Sequence, residues 1–401
     1  MASHKLAMNY HRNTGGVASA LNSALKFVSE HFEHTLYPLN SFRVSPDYYV
    51  LIASVAWSAK LASLSGICRI LRFVLKRQNE NGSWPEILAF GRSEENSVVF
   101  TASVGCKLVD FTEVLDDNLK AEVLKGLERA ARFVVSCEIE DGWFKKSENV
   151  SLDTINVNAL CSLFLIKCYN LFGRSEFRSV SLRGVKRVVR AQSRDGELLY
   201  YTRKPRTPSM FYHVLTVNFL TQFHDEYPQA EVLRSAIRGG LWVKRRQTSS
   251  GRLLWRHSLD HWSYRKFVTY PLAMEMFARL SKLGYPFERA SEKALGYILH
   301  SQTADGSFPV QDSIGSLNAF VNDVRNAVSL IHEMPPSWFL LSLFRSARMV
   351  LYRTKGPFDL FFYPLLNAGR GYFQDRLLST VETVDQLIRH ADAIIDYKML
   401  K

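Results

Sequence analysis

The sequence predicts an all-α protein: an α/α toroid of about six outer–inner helix hairpins with a C-terminal helical cap. Three observations carry that expectation. A glycine-centred stretch occurs five times, as Gln78-Asn-Glu-Asn-Gly82-Ser-Trp84, Cys137-Glu-Ile-Glu-Asp-Gly142-Trp143, Gln192-Ser-Arg-Asp-Gly196-Glu-Leu198, Gln247-Thr-Ser-Ser-Gly251-Arg-Leu253 and Gln302-Thr-Ala-Asp-Gly306-Ser-Phe308. Its glycines recur at roughly 55-residue intervals, the mark of a repeat architecture. An amphipathic helix precedes each copy, and a more apolar helix follows it after a polar loop.

One unit shows why it should close on itself. Ile67, Leu71, Val74 and Leu75 recur at helical spacing with Arg72, Lys76 and Arg77 opposite, so this helix has one wet face. Gly82 ends it and lets the chain reverse, and Trp84 can fold back over the junction. The stretch from Val98 to Val104 has no charge on any face, which predicts burial.

Taken in order, outer helices are expected near Val17–Glu33, Gly66–Arg77, Leu119–Val135, Val180–Ala191, Ala230–Arg245 and Glu288–His300. Inner helices are expected near Tyr48–Leu64, Ser97–Val109, Thr154–Leu171, Phe211–His224, Tyr264–Leu283 and Ala319–His332. From Pro335 the rhythm breaks into an apolar helix (Trp338–Leu351), a Pro/Gly/aromatic stretch (Gly356–Gly371) and an amphipathic helix (Gln374–Leu400). The expected organisation is a loose N-terminus over 1–16, a toroid over 17–334 and a helical extension over 335–401 packed on it. An open helical solenoid is the alternative.

The chain has 401 residues, 47% of them hydrophobic, enough for one large core. No signal-peptide pattern or uncharged membrane-spanning run is read from it, and five cysteines in apolar surroundings read as reduced thiols. The expected location is therefore the cytoplasm, with peripheral membrane contact open. A net charge of +13 favours a partly anionic substrate, small molecule or glycan, or an anionic membrane. No nucleic-acid-binding motif accompanies the charge, so nucleic acid is not expected as a partner.

The pattern around Leu75-Lys-Arg-Gln78-Asn-Glu-Asn-Gly82-Ser-Trp84 resembles the repeat of the terpenoid cyclase and protein prenyltransferase superfamily, across roughly residues 65 to 330. The resemblance implies a central cavity ringed by inner helices, with active residues where those helices begin. Two family motifs depart from pattern. No Asp-x-Asp-Asp cluster is present. Phe211-Tyr212-His213 is similar to one half of the prenyltransferase zinc site, but Asp153-Thr-Ile lacks the cysteine of the other half, and Met210 stands where an acid is expected. No cofactor is therefore expected; zinc and magnesium stay open, without support from these motifs.

Candidate site residues gather at the predicted inner-helix starts, where free N–H groups and the helix dipole favour anions. Asp153 is either an N-cap or a general acid. His213 is either a proton carrier or a satisfied core histidine, and Tyr212 beside it is a substrate contact. In the stretch from Trp255 to Lys266, His257, Asp260 and His261 stand at helical spacing and are either an acid/base group, a set of metal ligands or part of a loop folded under its own tryptophans, with Arg256, Tyr264 and Arg265 as candidate binding residues. Asn318 and Asn322 lie one turn apart at the last inner helix. Three readings follow: an isoprenoid enzyme of terpenoid-cyclase type, a glycan-processing toroid (lyase, epimerase or hydrolase), and a toroidal binding protein without chemistry.

Overall fold

A computed structural model describes residues 19–26, 46–59, 62–87, 94–151, 153–200, 209–254, 267–309 and 379–389. The sixth inner helix expected at 319–332 and the helix expected at 338–351 lie outside them.

The described helices are α1 (19–26), α2 (Pro46–Ser58), α3 (Leu64–Lys76), α4 (Val98–Phe111), α5 (Asp117–Ser136), α6 (Ile155–Phe172), α7 (Ser175–Ala191), α8 (Met210–Glu226), α9 (Ala230–Lys244), α10 (Thr269–Lys282), α11 (Glu288–His300) and α12 (379–389). Local chemistry sets their ends. Ser63, Ser97, Asp116 and Ser209 cap α3, α4, α5 and α8 through side-chain bonds to first-turn amides. Gly173 ends α6 in the left-handed region.

The inner helices α2, α4, α6, α8 and α10 pack each on the next, and the outer helices α3, α5, α7 and α9 form a second layer around them. Each inner helix also packs on the outer helix that follows it, through turns as short as 173–174 and 227–229. Outer-to-inner connections are long, and all of them fall at the end where inner helices begin. Burial follows this order. α6 is buried from Ile155 to Cys168, whereas α3 buries Ile67, Cys68, Ile70, Leu71 and Val74 and wets its other face. By composition Ile155–Phe172 could cross a membrane, yet 78% of it is buried in the ring as a core helix.

The repeated glutamine and glycine have a physical reason. Gln78 Nε2 donates to the Gly82 carbonyl at 2.9 Å and to the Gly126 carbonyl of α5 at 2.9 Å. Gln192 does the same to Gly196 and to Ser235 of α9, and Gln302 to Gly306 and to Ala20 of α1. Gln247 reaches Ala290 of α11 at 2.9 Å. Gly82 has φ +89°, and a Cβ there would strike the Arg129 carbonyl on α5. Each turn thus needs glycine twice over, for its backbone conformation and for its closeness to the next outer helix.

The fifth turn meets α1 in this same way, so the ring closes through its N-terminal helix. Residues 379–389, in the stretch expected to be an extension, stand in line with the inner helices. Phe308 N–H donates to Thr380 Oγ1 at 3.0 Å, and Ser54 of α2 donates to Asp385 at 3.4 Å.

Two short antiparallel ladders were not foreseen: β1 (Trp84–Ile87) with β2 (Glu94–Ser97), and β3 (Glu138–Glu140) with β4 (Trp143–Phe144). They sit in the long connections, and segments of two to four residues are too short for an alternation signal.

Candidate active site

The same turns fix the inner helices in register. Two residues after the glycine, a backbone N–H donates to a polar side chain in the first turn of the next inner helix. Trp84 binds Thr101 at 2.8 Å, Phe144 binds Asn158 at 2.9 Å, Leu198 binds His213 at 3.0 Å and Phe308 binds Thr380. Counting onward from these four anchors sets residues of α4, α6, α8 and α12 at matched depths, and the contacts Ser54–Asp385 and Asn218–Glu275 set α2 and α10 beside them.

The upper layer, nearest the helix starts, is Leu51, Ser103, Leu160, Leu215, Leu272 and Glu382. The middle layer is Ser54, Cys106, Leu163, Asn218, Glu275 and Asp385. The lower layer is Ser58, Asp110, Lys167, Gln222, Arg279 and Arg389. Contacts within layers agree with the register. Asn218 Nδ2 donates to Glu275 at 2.7 Å, and Ser54 meets Asp385 in the middle layer. Lys167 lies 2.7 Å from Asp110, and Arg389 lies 3.8 Å from Asp110 in the lower one.

The chemistry changes with depth. The upper layer is mostly leucine, under Phe100 and the edge-to-face pair Phe211–Tyr212 at 5.0 Å. The middle layer carries two carboxylates and the lower layer three cations. Arg279 ties Glu275 at 2.9 Å to Asp225 at 2.7 Å, and Arg389 holds Asp385 at 3.0 Å. The Asp385 carboxylate outweighs burial and keeps Arg389 charged well above its ordinary range. Burial lowers Lys167, but Asp110 with its neighbours overcomes that and leaves it raised. Burial pushes the Cys106 thiol up to about 12, which leaves it unreactive as a nucleophile.

The expected site residues fall into three groups. Tyr212 is half-buried on the lumenal face and stacks on Tyr200 at 4.0 Å. Asp153 and His213 stand at the inner-helix starts but turn outward. Asp153, 5% exposed, accepts from Arg187 of the outer helix α7 at 2.9 Å. His213, 1% exposed, accepts from Leu198 N–H through Nδ1, and its Nε2 meets the Gly239 carbonyl of α9 at 3.1 Å. Burial lowers its pKa to about 4, so it is neutral near pH 7. Both clip inner wall to outer wall in this geometry. Arg256, His257, Asp260, His261, Tyr264, Arg265, Asn318 and Asn322 lie outside the described residues. Among the described residues no cluster of three or more His, Cys, Asp or Glu is arranged to hold a metal.

The charged lumenal residues went unnoticed in the sequence. Glu382, Asp385 and Arg389 share one helical face, as do Glu275 and Arg279, but no repeat motif marks them. The register that aligns them comes from contacts distant in the chain.

No protein-family model and no curated protein sequence matches the chain. Its fold does match solved structures. A variant of the type II terpene cyclase MstE from Scytonema, in complex with geranylgeranyl dihydroxybenzoate, aligns with a TM-score of 0.55 at 12% identity, covering 96% of this chain and 99% of that one. A D-mannose isomerase aligns with a TM-score of 0.54 at 12% identity over 72% of this chain and 88% of that one. Cellobiose 2-epimerase from Bacillus thermoamylovorans B4167 aligns with a TM-score of 0.52 at 11% identity, over 72% and 87%. All are α/α toroids, and so is this protein. Identities this low establish the fold and leave the reaction to be argued from the site.

Proposed function

We propose that the protein is an enzyme that holds a small-molecule substrate in the upper lumen, entering where the inner helices begin. The substrate is an isoprenoid or a comparable apolar chain. One observation carries this reading: by helix register Leu51, Leu160, Leu215 and Leu272 share one depth with Ser103 and Glu382, below the level of Phe100, Phe211 and Tyr212 and above the charged layers. A wall of this composition favours a hydrocarbon chain over water, and aromatic faces beside it favour a developing positive charge. Within this reading the enzyme works in the cytoplasm and takes its substrate from a membrane surface. The likeness to a terpene cyclase along nearly the whole chain supports it.

A glycan-processing reading has its own support in the polar side chains of the two lower layers and in the sugar isomerase and epimerase neighbours. Calorimetric binding of geranylgeraniol, geranylgeranyl diphosphate and a uronate oligosaccharide to the full-length protein separates the two. Isoprenoid binding with a negative heat-capacity change is the expected result. Binding of the oligosaccharide alone selects the glycan reading, and no binding by any probe selects the non-catalytic one.

A further inference from the structure

The cations of the outer wall keep step with the repeat. Each turn glycine rests on the backbone carbonyl of one residue of the next outer helix. In four turns that residue is cationic, Arg129, Arg183, Arg238 or Lys293, and in the fifth it is Ser23. Arg183, Arg238 and Lys293 stand nine residues before Gln192, Gln247 and Gln302, and Arg69 stands nine before Gln78. The repeat therefore sets one cation at one height on each of α3, α5, α7, α9 and α11.

The turn needs only the carbonyl of that residue, so it does not explain the charge. Two of the five have a local use: Arg183 pairs with Glu138 at 2.6 Å, and Arg129 donates to Gln78 Oε1 at 2.5 Å. Arg69, Arg238 and Lys293 are exposed, and no ion pair or side-chain hydrogen bond holds them among the described residues. Acids keep to another level. Glu122, Glu176 and Glu231 each stand seven residues before the cation of their own helix, about 10 Å nearer the helix start. Glu128, beside Arg129, is taken by Arg132 and Arg174. Only α11 breaks the band, with Glu292 next to Lys293.

A belt of this kind fits a linear anion laid across the outer helices. Neighbouring helices lie about 8–10 Å apart, so the belt offers charge thinly. A nucleic-acid duplex carries one charge per about 1.7 Å of axis, far denser than that. Among the described residues no aromatic side chain is exposed on an outer helix, so the wall has no platform for stacking bases. A flat bilayer meets only one sector of a closed ring. Arginine presents a planar fork that matches a carboxylate with two parallel hydrogen bonds. We infer that the outer belt is a binding surface for an acidic polysaccharide, a linear glycan bearing carboxylates, held across successive repeats by Arg69, Arg129, Arg238 and Lys293. The belt lies outside the lumen and does not depend on what the lumen holds.

The test titrates the full-length protein with polygalacturonate, its methyl-esterified form, duplex DNA and phosphatidylserine vesicles, reading Kd at low and high salt. The expected result is that polygalacturonate binds more tightly than DNA or vesicles, that the ester does not bind, and that salt weakens the complex. Longer oligomers should bind more tightly than short ones, because they reach more repeats. Arg69→Gln, Arg238→Gln and Lys293→Gln should each weaken binding about threefold and together about thirtyfold. Thermal unfolding of these variants should match wild type, which separates a lost surface from a lost fold. Lys120→Gln, in the first turn of α5, should leave the affinity unchanged. Equal or tighter binding of DNA or vesicles, or no binding of polygalacturonate, overturns the inference. So does a loss from Lys120→Gln as large as that from Arg238→Gln, which would show attraction to net charge alone.

Discussion

Gln302 Nε2 donates to the backbone carbonyl of Ala20 at 2.8 Å, joining residues 282 positions apart. The bond copies those from Gln78 to Gly126 and from Gln192 to Ser235, where the partner is the next outer helix along the chain. At the fifth turn the next outer helix is the first one. The ring is therefore closed by its repeat chemistry.

Closure at this seam should cost stability when broken. Gln302→Ala leaves the Ala20 and Gly306 carbonyls without their side-chain donor, which should destabilise by roughly 1–3 kcal/mol. Gly306→Ala should cost more, because φ is +84° and a Cβ would press on the Ser23 carbonyl. Urea denaturation of both variants beside Gln78→Ala checks this. If Gln302→Ala matches wild type while Gln78→Ala does not, the seam contributes nothing.

The repeat was legible because one motif meets three demands at one place: a reversed chain, a close approach and a side-chain clip. Gln78, Gln192, Gln247 and Gln302 keep their spacing to glycine for that reason. The second copy departs from it, with Cys137 in place of glutamine and one extra residue. There Glu138 accepts from Gly142 N–H at 2.9 Å and pairs with Arg183 of α7 at 2.6 Å, so an ion pair does the work of the amide. The lumen was less legible. Asp153 and His213 are polar residues at inner-helix starts, and the sequence alone does not say which way they face. The place of α12 in the ring is set by Thr380 and Asp385, and Thr380 lies 72 residues beyond its partner Phe308, out of step with the repeat period.

His213 predicts a pH dependence. Its folded pKa of about 4 lies below the ordinary histidine value, so the unfolded chain binds its proton first as pH falls. This stability is fully present above about pH 6.5 and is lost as pH drops toward 4, by roughly 3 kcal/mol. Urea midpoints between pH 7.5 and 4.5 for wild type and His213→Gln should show a shallower slope in the variant. Parallel slopes would place the acid sensitivity elsewhere.

The charged layers predict an asymmetry. Asp385 is 8% exposed at its side chain and depends on Arg389. Arg389→Met should cost roughly 3–5 kcal/mol, because it strands a buried carboxylate, whereas the double change Arg389→Met with Asp385→Leu should recover most of that. Thermal unfolding of the single and double variants reads the difference. Equal losses would show that the pair is not coupled.

Asp153 offers a sharper division between structure and chemistry. Its carboxylate is buried, and Arg187, which also lies over the Trp143 ring at 5.5 Å, accounts for its charge. If the residue only clips α6 to α7, Arg187→Leu should be the more damaging change, because it takes the guanidinium away from a buried acid. Asp153→Asn keeps a hydrogen-bonding side chain opposite Arg187 and should cost less. Under this assignment Asp153→Asn keeps the isoprenoid affinity of wild type by calorimetry. A stable Asp153→Asn protein that has lost ligand binding would return Asp153 to the ligand site, and the outward turn of its carboxylate toward Arg187 would then need a rearrangement on binding.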